Sequence, residues 1–196
     1  DGQPLLTHER YRQVGRLVNS VLRAEPRPHY LLLPELALPR KWVSSVSNRL
    51  LQSGISLVSG VEYDTRQPGT VRNDAVLALT DDRLGFGSSV LIFQSKSAPA
   101  PGEEETLLRL HSRGWWPPRK PWCLVYRHRG FEFGVLICSE LQDIRFREKL
   151  QGEVDALMVL SWSKDLETFS ALVESAALDV HAYVAYVNNR LYGDSR

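Results

Sequence analysis

The chain has 196 residues, 43% of them hydrophobic and 24% charged, with a formal net charge of +1. That is room for one well-buried domain and short for two, and the balanced charge offers no bulk attraction to a polyanion. No apolar run approaches the roughly 20 residues of a membrane span, no secretory signal opens at Asp1, and two cysteines make no disulfide scaffold, so a reducing, cytoplasmic setting is expected.

Val14, Leu17, Val18, Val21 and Leu22 recur at helical spacing, with Thr7 placed to cap that helix and Pro26 and Pro28 to stop it. Residues 30–33 then predict a short apolar strand, closed by Pro34 and Glu35. A second helix is expected from near Pro39 to about Gln52, burying Val43, Val46 and Leu50. Gly54 ends it, and residues 55–58 read as a strand. After a turn containing Pro68, Gly69 and Asn73, residues 75–79 and 90–93 predict neighbouring strands around Asp81 and Asp82. From Ser97 to about Pro121 the pattern dissolves into Pro, Gly, Glu and Trp, which predicts an irregular loop. Residues 122–126 and 131–137 predict a hairpin, followed by a short helix at 144–150 and a strand at 154–160. Ser163 is the expected cap of a long helix carrying Leu166, Phe169, Leu172, Val173, Ala176 and Val180 on one face, and residues 183–187 form the last strand. The order is α/β, and strands apolar on both faces predict parallel pairing in a layered architecture.

In such sheets ligands sit beyond the carboxyl ends of strands, and Glu35, Lys96 and Cys138 each follow a predicted strand. The run from Phe131 to Ile137 delivers the Cys138 thiol to a turn, where backbone N–H groups can face a developing oxyanion. A free thiol, with a reference pKa of about 8.5, needs a base or a positive field to react near neutrality. Each residue also has a plainer reading. Cys138 can be a small buried hydrophobe, Glu35 a helix cap, and Lys96 a solvated loop residue. Glu140 either orients the turn or starts the helix after it, and Cys123 reads as core. His8, His29, His111, His128 and His181 show no ligand spacing, so no metal or cofactor is assigned. His181 reads as a partner of its helix dipole. Residues 113–122 and 127–129 mix cations with aromatics, as single-strand nucleic-acid binders do. With so little net charge, a substrate loop or packing surface is the expected role, and no nucleic-acid partner is assigned.

The segments Leu33-Pro34-Glu35-Leu36, Phe93-Gln94-Ser95-Lys96 and Gly134-Val135-Leu136-Ile137-Cys138-Ser139-Glu140, in this order, resemble the nitrilase superfamily of carbon–nitrogen hydrolases. Asn73, residues 187–190 and residues 193–195 fit it more loosely. The resemblance implies an αββα sandwich with a Glu–Lys–Cys site. Glu35 would be the general base, Cys138 the nucleophile forming a thioester with a small amide or nitrile, and Lys96 with a backbone N–H near Ser139 the oxyanion donors. A second, supporting glutamate is implied after the lysine, with Glu103 the first candidate and Glu104 the second. The sequence departs from the family pattern at Ser97-Ala98-Pro99 and in the tryptophan-rich segment, which leaves substrate class open. It also departs at its ends. Residues 1–196 are expected to be a single domain lacking the family's first strand and C-terminal strands. An oligomer or a fusion within a larger protein, such as a NAD synthetase or a defence-associated reverse transcriptase, is therefore expected. There the domain would act either as the hydrolase or as an assembly or binding unit with little turnover of its own.

Overall fold

A computed structural model describes residues 6–83, 85–116 and 123–196. The first helix, α1 (His8–Leu22), begins at Thr7, whose side chain accepts the Arg10 backbone N–H as expected. Strand β1 (Tyr30–Leu38) runs past Pro34 instead of stopping there. A 3-10 turn, Arg40–Trp42, leads into α2 (Val43–Leu51), which buries Val43, Val46 and Leu50. Then come β2 (Ser56–Asp64), β3 (Thr70–Asp81) and β4 (Ser88–Ser95). The expected turn residue Asn73 therefore lies inside a strand.

Between residues 97 and 116 the predicted irregular loop is corrected. It holds α3 (Glu103–His111) and a short strand, β5 (Gly114–Trp115), paired with β3. Glu103, Glu104 and Glu105 favour the positive end of the α3 dipole, but the helix buries only Leu107, so it has almost no apolar period to read. Residues 117–122, where the loop was expected to end and a strand to begin at Trp122, lie outside the described residues. Strands β6 (Val125–His128) and β7 (Phe131–Ile137) form the predicted hairpin. A 3-10 helix, Cys138–Gln142, is followed by α4 (Ile144–Leu150), β8 (Ala156–Leu160), α5 (Leu166–Val180) and β9 (Tyr183–Val187). Asp165, not Ser163, caps α5, accepting the Thr168 N–H. Ser163 Oγ instead accepts the Asp165 N–H.

The main sheet path β1-β2-β3-β4 faces a second sheet ordered β6-β7-β8-β9. Pairing is parallel for β1/β2, β7/β8 and β8/β9, but antiparallel for β2/β3, β3/β4 and β6/β7. The expected parallel pairing holds for β1/β2, β7/β8 and β8/β9 and fails for β2/β3 and β3/β4, because burial on both faces has a second cause. Each sheet is covered on one side by helices and on the other by its partner sheet, whatever the strand direction.

Alternation along β3 displays this layering. Val76 and Ala78 join Val18, Val43, Val46 and Leu50 of α1 and α2, while Ala75, Leu77 and Leu79 join Phe133, Leu136 and Tyr186 of the facing sheet. On the far side, Phe146, Leu150, Phe169, Val173 and Ala176 of α4 and α5 close the fourth layer. The fold is an αββα sandwich. Among the described residues, no helix is long and apolar enough to cross a membrane.

One irregularity positions a candidate site residue. The β1/β2 register shifts between Leu33 and Leu38, and Leu36 takes a φ of 56°. The bulge turns Glu35 inward, where it is only 4% exposed. Gly60 on β2 makes room for it. A Cβ there would stand 2.4 Å from both Glu35 Cα and the Pro34 carbonyl oxygen, which are backbone atoms that cannot swing aside. Gly60→Ala is expected to cost about 3 kcal/mol, the upper end for forcing atoms into a packed interior. Chemical denaturation measures this, and a loss below about 1 kcal/mol would show a bulge that yields freely.

Candidate active site

Lys96 follows β4 and is 1% exposed, which removes the solvated-loop reading. Its Nζ donates to Glu35 Oε1 at 2.9 Å and to Glu103 Oε2 at 3.0 Å, and stands 5.9 Å from the centre of the Trp115 ring. An ammonium has three donors, so one remains without a partner among the described residues. Glu35 Oε1 also accepts Asn73 Nδ2 at 2.8 Å, while no hydrogen bond to Glu35 Oε2 occurs among the described residues. Glu103 Oε2 also accepts the Ala100 N–H at 2.7 Å, and its Oε1 accepts the Tyr63 hydroxyl at 2.5 Å.

Cys138 closes β7 with a φ of 50°, a left-handed conformation that non-glycine residues seldom adopt. The sharp turn this makes is braced by Glu140, 4% exposed. Its Oε2 accepts the Ile137 N–H at 2.8 Å, and its Oε1 accepts the Ser97 N–H, next to Lys96, at 2.7 Å. Glu140 thus orients the turn and ties it to the lysine segment of the other sheet. Ser161 Oγ donates to the Cys138 sulfur at 3.5 Å, and the Trp162 backbone N–H also bonds it.

Two carboxylates and one ammonium leave the cluster with a net negative charge, and the thiol responds to it. Burial, then the Glu35 charge, push the Cys138 pKa up to about 11 against the opposing pull of Lys96, Ser161 and Trp162. Burial alone would lower the Lys96 pKa, but Glu35, Glu103 and Cys138 outweigh it and hold the ammonium charged well above its ordinary range. Burial raises the Glu140 pKa, with the Ser97 and Ile137 N–H groups acting the other way. Burial, then Glu103, raise the Tyr63 pKa, so its hydroxyl is a donor at any physiological pH.

Glu35, Lys96 and Glu103 are therefore joined directly, and the charges of Glu35 and Lys96 both act on Cys138. Between the two candidate supporting glutamates, Glu103 makes the contact. Glu104 accepts the Trp115 N–H at 3.1 Å and takes no part. Ser139 is half-buried in the 3-10 helix that Cys138 opens. Cys123 is half-buried, its S–H directed at the Phe146 carbonyl at 3.7 Å. His181 ends α5 as a left-handed cap with a φ of 59°. Sequence reasoning missed Tyr63, Ser161, Trp162 and the bond from Asn73. For Ser161 and Trp162 the signal existed, since they follow an apolar strand as Cys138 does. For Tyr63 there was none.

A cleft of about 730 Å³ is lined by Leu33, Pro34 and Leu36, the chain neighbours of Glu35, and by Tyr63 and Trp162, which bond Glu103 and Cys138. That volume lies within the range of small-molecule sites.

No family model and no curated protein matches the sequence. Solved structures do match the fold. A CN-hydrolase superfamily protein from Xanthomonas campestris, with an arsenic adduct in its active site, aligns over 92% of this chain and 69% of its own, at a TM-score of 0.69 and 16% identity. An amidase from Nesterenkonia sp. aligns over 91% and 70%, at a TM-score of 0.66 and 18% identity, and a mutant of that enzyme carries acrylamide added to its active-site cysteine. The glutamine-dependent NAD+ synthetase from Acinetobacter baumannii aligns over 92% of this chain but 35% of its own, at a TM-score of 0.62 and 20% identity. The αββα architecture is that of the nitrilase superfamily.

Proposed function

We propose that this domain, which has the nitrilase-superfamily fold, is a thiol hydrolase of a small non-peptide carbon–nitrogen bond, an amide or a nitrile. The observation that carries the reading is a buried ammonium shared by two carboxylates beside a thiol on a strained turn, with one Lys96 donor and Glu35 Oε2 left over. Those leftover positions match two needs of acyl transfer. Glu35 Oε2 takes the Cys138 proton as the sulfur attacks the amide carbon, and the free Lys96 donor meets the oxygen that becomes negative. The C–N bond breaks as Glu35 returns its proton to the nitrogen, releasing ammonia or an amine and leaving a thioester on Cys138. Glu35 then takes a proton from water, the hydroxide attacks the thioester, and the acid departs as the sulfur recovers its proton. Asn73 and Glu103 keep Glu35 and Lys96 aligned through both halves.

Ammonia release from a panel of small amides and nitriles, with intact-protein mass spectrometry for an acyl group on Cys138, tests this. Turnover and adduct are both expected, and both are expected to vanish in Cys138→Ala. Absence of turnover and adduct alike, with Cys138 no more reactive to iodoacetamide than a buried structural thiol, overturns the reading.

A second reading, an assembly or binding domain, draws on β4. It is the end strand of its sheet path, and Val90, Leu91 and Phe93 on it are 55%, 44% and 41% exposed, an apolar edge suited to a partner chain or oligomer.

A further inference from the structure

The Cys138 sulfur takes two hydrogen bonds from the carboxyl end of β8, one from the Ser161 hydroxyl at 3.5 Å and one from the Trp162 N–H. Ser161 is fully buried, and its own N–H is fixed on the Val187 carbonyl of β9 at 2.8 Å, so a rigid strand end presents the hydroxyl to the sulfur. A second hydroxyl stands next to it. Tyr186 of β9 is 2% exposed, its ring stacked on Phe169 with centres 5.8 Å apart, and its backbone N–H and carbonyl both bond Arg196. Among the described residues the Tyr186 hydroxyl has no hydrogen bond. Burial raises its pKa, with Ser161 acting the other way and Cys138 adding to the rise, so the group keeps its proton and lies close to both. A phenylalanine would fill the same space against Phe169 without burying an unpaired oxygen. The tyrosine therefore brings a proton donor to a place where packing does not ask for one.

We infer, on the premise that Cys138 is the nucleophile of the proposed hydrolase, that Ser161 and Tyr186 form a hydroxyl relay that steadies the sulfur whenever it is negative. Ser161 touches the reacting atom and is a catalytic residue. Tyr186 acts through it and is a positioning residue. As Glu35 takes the thiol proton, the Ser161 O–H tightens onto the thiolate, and the Tyr186 O–H closes on the Ser161 oxygen, which still has lone pairs to accept it. Hydrogen bonds in such a chain polarise one another, and one to a charged group is about twice as strong as one between neutral groups. No proton changes owner along the relay. The same chain holds the sulfur as it leaves the thioester, until Glu35 hands it the proton drawn from water.

Alkylation of Cys138 by acrylamide at pH 8, followed by intact mass, tests the relay without any turnover, and ammonia release decides the hydrolase reading separately. Ser161→Ala is expected to leave about tenfold less thiolate, of which higher intrinsic nucleophilicity returns about threefold, so alkylation slows by about threefold. Tyr186→Phe should slow it by about twofold, with a melting temperature no lower than native, because only an unpaired buried oxygen is lost. In the double variant Tyr186→Phe should add nothing, since its route to the sulfur is already gone. Ser161→Thr, which keeps the hydroxyl, should react at the native rate. Three results each overturn the relay: a native rate in Tyr186→Phe, a Tyr186→Phe effect undiminished in the Ser161→Ala background, or a folded Ser161→Thr as slow as Ser161→Ala. If the Ser161 variants do not fold, Tyr186→Phe decides alone. Slower alkylation at an undiminished melting temperature supports the relay, and a native rate overturns it.

Discussion

Glu35→Gln is expected to move two reactions of Cys138 in opposite directions. Hydrolysis should fall by about 10³-fold or more, because a positioned general base contributes about 10²–10⁴-fold and the proposed mechanism uses Glu35 in both halves of the reaction. Alkylation of the same sulfur by acrylamide at pH 8 should become faster. The reason is electrostatic. After burial, the Glu35 charge is the largest influence holding the thiol pKa at about 11, while Lys96 pulls it down. Removing the carboxylate's charge leaves Lys96 and Glu103 balanced, so the thiol pKa drops and the thiolate fraction at pH 8 rises. Each unit of decrease supplies about tenfold more thiolate, of which lower intrinsic nucleophilicity takes back about threefold, for a net gain of about threefold. Stopped assays of ammonia release and intact-mass time courses with acrylamide read the two effects on one protein sample. Hydrolysis retained within tenfold would remove Glu35 from the role of base. A parallel fall in both rates would show that its charge does not govern the thiol.

Lys96→Ala should be the most destabilising single change at the site. Glu35 is buried and Glu103 nearly so, their side chains 6% and 14% exposed, and Lys96 stands between them. Taking one partner from a buried ion pair costs about 3–5 kcal/mol, because the remaining charge has no water to turn to. In a domain of this size that corresponds to a melting temperature lower by about 10 °C. The sign of the pH dependence follows from the same charges. In the native protein the raised Lys96 pKa contributes stability across the neutral range and loses it only at strongly alkaline pH. Adding Glu103→Gln to Lys96→Ala should restore much of the stability and none of the turnover. Thermal unfolding across pH 4–8 checks this, and a melting temperature within about 2 °C of the native protein would sink it.

How much of this was legible in the sequence differs from residue to residue. Cys138, Glu35 and Lys96 could be found because each ends an apolar run, and strand ends are where an α/β sheet presents chemistry. The four layers were expected from the resemblance, and the periodic helices α1, α2 and α5 stood out by their own spacing. Strand direction did not, since residues such as Leu57 and Val58 are buried on opposite faces whether their neighbour is parallel or antiparallel. The bulge at Glu35 was hidden by Pro34, which reads as a stop and is in fact accommodated where β1 leaves its register with β2. Helix α3 was missed because its apolar side chains Leu108 and Leu110 are exposed at 53% and 62%, so their spacing reflects no core. Asn73 was placed in a turn for want of any local sign that β3 starts at Thr70, where pairing with β5 and β2 extends it.

The two oxygens of Glu140 have a consequence for how rate depends on the rest of the molecule. One grips the backbone of the thiol's layer at Ile137 and the other the backbone of the lysine's layer at Ser97. The Cys138 thiol and the Lys96 ammonium belong to separate slabs, and this carboxylate is a clamp that sets the sideways alignment of one slab on the other. A displacement of about 1 Å between reacting groups can change a rate by about 10²-fold. For the proposed hydrolase, turnover is thus a gauge of slab alignment, sensitive to packing at Leu77, Leu79 or Tyr126 between the layers, though none of those side chains belongs to the Glu35–Lys96–Cys138 cluster.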